Sequence, residues 1–117
     1  MSKKAKSEIS SRGVYADIGF GNHEEVATKA NLVMEISNAI KKKKITQTAA
    51  AKILGITQPK LSELLRGHFR GYSVERLIHF LNELGKDVDI VVKSKPESRK
   101  ARVSVYHFSS EWNQHKP

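Results

Sequence analysis

The stretch Gln47–Arg66, QTAAAKILGITQPKLSELLR, predicts two short helices joined by a glycine turn. The first helix would begin after Thr46, an N-cap residue, and end before Gly55, which can adopt a positive φ. The second would begin after Thr57, another N-cap. Pro59 fits the first turn of this second helix, because backbone amides there have no partner inside the helix.

The apolar residues of this stretch are spaced so that two helices can cross around one small core. The predicted inward-facing residues are Ala50, Ile53, Leu54, Leu61, Leu64 and Leu65, with Ile56 in the turn. A small residue followed four positions later by glycine, and then by an apolar residue, is typical of a helix-turn-helix motif. The alternative is an ordinary αα-hairpin within a helical bundle.

The charge is concentrated on the same stretch. The chain has a net charge of +9, and residues 41–76 carry nine Lys and Arg against two Glu. Residues 8–40, by contrast, are net acidic. A basic block on such a motif indicates contact with nucleic-acid phosphates. Binding to a membrane surface is the competing use of this charge, but the basic residues flank short capped helices and do not form one long amphipathic helix.

Several other classes of protein fit the composition poorly. There is no cysteine among the 117 residues, which excludes thiolate metal sites, and no apolar run approaches the roughly 20 residues that span a bilayer. No catalytic set, metal-ligand cluster or phosphate-binding loop stands out, and an RNA-binding module would need an aromatic stacking platform that is missing here. We therefore expect no enzymatic activity, no metal, no cofactor, no membrane partner and a cytoplasmic location.

Two further helices are predicted on either side of the motif. Asn22 and Glu25 match a capping box, which would start a helix that runs to about Lys43. Its predicted buried face comprises Val26, Ala30, Val33, Ile36 or Ser37, and Ile40. Ser73 would cap a last helix that ends near Gly85. Its predicted inward residues are Val74, Leu77, Ile78, Leu81 and Leu84.

The segment Asp87–Val92 alternates as a β-strand does, with Val88, Ile90 and Val92 on one face. One strand cannot satisfy its own backbone groups, so a second copy of the strand from another subunit is the simplest partner. Such a ribbon would make the protein an isologous dimer. Pairing with residues 102–108, or with a partner protein, is the alternative.

These elements predict three parts of the chain: an N-terminal arm at 1–21, a helix-turn-helix domain at 22–93 and a basic tail at 94–117. The arm contains four apolar residues that are unusual for a linker and suggest packing on the domain or on a partner: Val14, Tyr15, Ile18 and Phe20. The apolar residues of the tail, which are too sparse for a core, are Val103, Val105, Tyr106, Phe108 and Trp112.

Residues 46–67 resemble the Cro/repressor-like, or XRE, family of helix-turn-helix regulators. Three further stretches, YADIGF at 15–20, SVERL at 73–77 and LGKDVDIVV at 84–92, are similar to a small-protein branch of that family. Many members of the branch are HigA-type antitoxins encoded beside a RelE-like ribonuclease toxin. The resemblance implies a mainly α, lambda-repressor-like bundle of four to five helices with one C-terminal β-strand paired across a dimer.

The resemblance also implies which residues meet DNA. Gln47 would contact a phosphate, and the start of the recognition helix would reach base edges through Thr57, Gln58, Lys60 and Ser62, with Pro59 offering an apolar contact. The remaining residues expected at the DNA surface are Lys44, Thr46, Arg66, His68, Arg70 and Tyr72.

The function expected from the sequence is that of a homodimeric antitoxin. It would bind double-stranded operator DNA, repress its own operon, and neutralise a small basic ribonuclease toxin by covering it. The first candidate for the toxin-binding surface is the acidic segment 8–40 with its apolar stretch Val14–Phe20, and the second is 101–113. The alternative is a stand-alone XRE-family repressor with no toxin partner.

Overall fold

Four α-helices form the body of the molecule. The structure is a computed structural model that describes residues 22–108. The helices are α1 (Asn22–Lys43), α2 (Gln47–Leu54), α3 (Gln58–Leu65) and α4 (Val74–Glu83). No β-strand forms between residues 22 and 108. The prediction of a mainly helical fold with four helices is therefore confirmed, while the predicted N-terminal arm and Trp112 lie outside the described residues.

The two helices of the motif begin and end as their sequence predicts. The side-chain oxygen of Thr46 accepts a hydrogen bond from the Ala49 amide at 3.0 Å, and Gly55 has a left-handed φ of 75°. The side-chain oxygen of Thr57 accepts from the Lys60 amide at 3.3 Å. Each cap gives a hydrogen-bond partner to a first-turn amide that has none inside its helix. The caps therefore define where these two helices of eight residues begin.

The core lies between the four helices, with α3 and α4 in contact with both α1 and α2. The buried apolar residues are Leu32, Val33, Ile36, Ala39, Ile40, Ala50, Ala51, Leu54, Leu61, Leu64, Leu77, Phe80, Leu81 and Leu84. Burying this apolar surface is what holds helices too short to be stable alone.

Two residues predicted to face inward are exposed. Val26 is 51% exposed because it lies on the flank of the buried stripe of α1, which includes Thr28 and Leu32. Ile53 is 40% exposed because the inward face of the two-turn helix α2 is filled by its other apolar residues. The predictions that Val26 and Ile53 are buried are therefore both wrong.

The segment after α4 has no regular secondary structure. Val88 packs against the core, whereas Ile90, Val91 and Val92 are exposed. Within the described chain, no strand or bridge joins residues 87–93 to residues 102–108, so this alternative pairing is not formed. Pairing of this segment with a second copy stays a prediction.

The described part of the C-terminal tail returns to α1. Val105 packs against the edge of the core, and His107 Nδ1 lies 2.9 Å from Glu35 Oε1 on α1. Val103, Tyr106 and Phe108 remain exposed.

We expect Gly55→Ala to destabilise the protein by about 1–2 kcal/mol, because a left-handed backbone brings Cβ close to the following carbonyl oxygen. No neighbouring atom lies within 4 Å of the added Cβ, so the cost would come from the backbone alone. Gly71→Ala is the matched control, because Gly71 has equally open surroundings and no left-handed φ. Urea unfolding of both variants checks this, and equal midpoints would contradict it.

Candidate nucleic-acid interface

The first residues of α2 and α3 lie side by side on the surface. The side-chain amide of Gln58 donates a hydrogen bond from Nε2 to Oε1 of Gln47, with 2.9 Å between the two atoms. Each glutamine is the first residue of its helix, and both are exposed. The turn at Gly55 therefore brings together the residue predicted to meet a phosphate and the residue predicted to meet a base.

The start of α3 forms an exposed ridge. Thr57, Gln58, Pro59 and Lys60 are all exposed, whereas Ser62 is half-buried. Leu61 is completely buried beneath them and anchors the ridge in the core. Four of the five residues predicted at the base edges thus share one accessible surface.

A carboxylate lies within this basic surface. Glu63 Oε2 is 2.7 Å from Arg66 Nη2, and Glu63 Oε1 hydrogen-bonds to His68 Nδ1. The hydrogen bond from His68, together with the charge of Arg66, lowers the pKa of Glu63 below its ordinary value of 4.5. Glu63 is therefore ionised at neutral pH, and it holds two of the residues predicted to contact the DNA backbone.

Sequence reasoning did not assign a role to Glu63. The spacing of Glu63 and Arg66, three residues apart near a helix end, was a usable signal for an ion pair. The contact with His68 depends on how the chain turns after α3 and had no comparable signal.

The other residues predicted at the DNA surface lie in different surroundings. Lys44 and Arg70 are exposed, and Lys44 has a left-handed φ of 58°. Thr46 uses its side-chain oxygen to cap α2. Tyr72 is half-buried, and its ring packs edge-on against Phe80 with 6.0 Å between the ring centroids. Tyr72 therefore has a packing role that the sequence did not indicate.

A shallow depression of about 380 Å³ separates α3 from the start of α4. Pro59, Lys60 and Glu63 line it from α3, and Tyr72 and Arg76 line it from the opposite side. Arg76, which was not among the predicted site residues, has its guanidinium 4.9 Å from the centroid of the Tyr72 ring. No helix within residues 22–108 is long and apolar enough to cross a bilayer, and no group of three or more potential ligands there could hold a metal ion.

Two comparisons with known proteins agree with this geometry. The model of the family described as "Helix-turn-helix domain" matches residues 14–93. A solved structure of an XRE family transcriptional regulator is 44% identical in sequence, covers 75% of this chain and 100% of its own, and superposes with a TM-score of 0.71. No curated protein matches the sequence.

Proposed function

Since the chain belongs to the helix-turn-helix domain family and is a DNA-binding regulator of the XRE type, we propose that it represses its own operon as a homodimer and also acts as an antitoxin. The hydrogen bond between Gln58 and Gln47 is the observation that carries the DNA-binding part of this proposal. The antitoxin part has a different basis and is tested separately below.

The glutamine pair supports a specific mode of base reading. A side-chain amide has two N–H donors and an accepting oxygen, and Gln58 uses one donor on Gln47. The second donor and the oxygen remain for N7 and N6–H of adenine, a bidentate pairing in the major groove. Gln47 keeps its own amide donors for a phosphate. Gln47, bound to a DNA phosphate, would then fix the orientation of the Gln58 side chain that reads the base.

The other contacts divide into two kinds. We propose that Lys60 reaches guanine and that Thr57, Pro59 and Ser62 complete the surface at the bases. The contacts that position the protein on phosphate would come from the remaining DNA-surface residues: Lys44, Thr46, Arg66, His68, Arg70 and Tyr72. The ion pairs of Glu63 support this division, because they hold Arg66 and His68 at the end of α3 and away from its start.

The proposed dimer follows from the segment 87–92. This segment forms no strand within the described residues, and antiparallel pairing with a second copy would give its backbone regular hydrogen-bond partners. Three consecutive exposed residues, Ile90, Val91 and Val92, would lie in the paired strands. Two recognition helices would then enter successive major grooves about 34–36 Å apart on a palindromic operator.

The antitoxin role rests on the charge of one segment and on apolar residues that are not among the proposed DNA contacts. Residues 8–40 are net acidic within a basic chain, and they contain the apolar residues Val14, Tyr15, Ile18 and Phe20. Such a segment suits a basic RNA-binding cleft, which it would block by occupying it. A stand-alone repressor is the alternative, and the two readings differ in whether a toxin accompanies the protein.

We expect Gln58→Ala to reduce discrimination at one base position of each half-site by about 1–3 kcal/mol, because the bidentate contact is lost. Selection of binding sites from a random duplex library measures this preference. Asn38→Ala, which removes an exposed amide from α1, is the control. If Gln58→Ala selects the same consensus as the wild type, α3 is not the recognition helix.

We expect Ile90→Asp to convert the dimer to monomer in sedimentation experiments, because it places a charge on the face that holds Val88. Val91→Asp is a matched control: Val91 is 77% exposed and Ile90 is 78% exposed, but alternation places them on opposite faces. Equal effects of the two substitutions would exclude the proposed register. A wild-type monomer would exclude the dimer itself.

We expect purification of the protein from its native locus to yield a stoichiometric small basic partner that is toxic when expressed alone. Replacing Tyr15 and Phe20 by alanine should abolish this association and leave operator binding intact, because neither is among the residues proposed to contact DNA. A homodimer carrying only DNA would indicate the stand-alone repressor. Retention of the partner by the double variant would exclude the first candidate surface.

A further inference from the structure

Arg76 borders the recognition helix without belonging to it. It lies in α4, and its side chain lines the depression whose opposite wall is formed by Pro59, Lys60 and Glu63 of α3. The site of Arg76 is therefore continuous with the proposed DNA surface, yet none of the DNA contacts proposed above uses it.

Two positively charged side chains at this depression, those of Lys60 and Arg76, have no acidic partner among the described residues. The two carboxylate oxygens of Glu63 contact Arg66 and His68, one oxygen each. Neither Lys60 nor Arg76 forms an ion pair with any residue in the described part of the chain. Since the one carboxylate at this depression is already paired, the two remaining charges favour an anion.

The guanidinium of Arg76 is held in place by aromatic rings. Its central carbon lies 4.9 Å from the centroid of Tyr72 and 5.4 Å from that of Phe80. The two rings are themselves packed edge-on, so they give the guanidinium a fixed support. Its side-chain N–H donors have no hydrogen-bond partner among residues 22–108, and such a planar, oriented donor set matches phosphate oxygens.

We propose that Arg76 binds an internucleotide phosphate of the duplex at this depression, beside the groove that α3 enters. This inference rests on the proposed binding of operator DNA. A phosphate is the expected partner because Arg76 is on the helix next to the recognition helix, where the sugar–phosphate backbone borders the groove. Tyr72 then acts by supporting Arg76, which gives this half-buried ring a role at the interface.

The test measures the salt dependence of binding for the full-length protein and two variants. Arg76→Met removes the charge and keeps an unbranched side chain over the rings, whereas Arg76→Lys keeps the charge. Arg102→Met is the matched control, because Arg102 is an exposed arginine with no ion pair in the described chain. The probes are a 30-base-pair duplex carrying the selected operator and an unrelated duplex of the same length, each titrated at several salt concentrations.

We expect Arg76→Met to weaken binding to both duplexes by the same factor and to reduce the slope of log K against log salt by about one. Arg76→Lys should retain most of the slope, and Arg102→Met should retain all of it. An unchanged slope in Arg76→Met would overturn the inference. If both Arg76 variants lose the slope together with thermal stability, the role of Arg76 is packing and the inference is equally overturned.

The failure of this inference can be told apart from failure of the proposed function. If the wild type binds its operator with a steep salt dependence and Arg76→Met does the same, only the role of Arg76 is wrong. If the wild type shows no preference for any duplex sequence, the assignment of a sequence-specific repressor is wrong.

Discussion

The burial of Leu61 and Leu64 determines how the proposed DNA surface is presented. Both side chains are completely buried against the core that α1 provides, which fixes the rotation of α3 about its own axis. Gln58 and Lys60, in the first turn of the same helix, flank this buried stripe on either side and are therefore exposed. The polar ridge is thus a property of packing: its position depends on leucines that never meet the ligand.

Electrostatics divides this surface into two regions. At the end of α3, Glu63 engages Arg66 and His68, so that part of the surface carries little unpaired charge. At the start of α3 and across the depression, Lys60 and Arg76 have no acidic partner within the described residues. The basic block of residues 41–76 is therefore uneven, which its net charge alone does not reveal.

Capping residues and glycine turns in the sequence predicted the helices, but they did not predict contacts between residues distant in sequence. The caps at Thr46 and Thr57 and the turn at Gly55 depend on residues within a few positions, so the bounds of α2 and α3 were predictable. The pairing of Gln47 with Gln58, the stacking of Arg76 on Tyr72, and the contact of His107 with Glu35 depend on how the helices cross. Val26 was misassigned because periodicity identifies a face of α1 but does not show which neighbouring helix covers it. The strand predicted at residues 87–92 does not form in the described chain, and its pairing with a second copy stays a proposal.

The end of α1 illustrates a trade-off between stability and charge at a single residue. Lys44 closes the helix in a left-handed conformation, where glycine would fit without steric cost. Lysine adds a fourth positive charge directly before the motif, next to the negative end of the α1 dipole. The backbone conformation and the electrostatics of this position thus favour different residues. The chain carries the residue that favours anion binding, so replacing Lys44 by glycine would relieve the backbone and at the same time remove a positive charge that interacts favourably with the helix dipole.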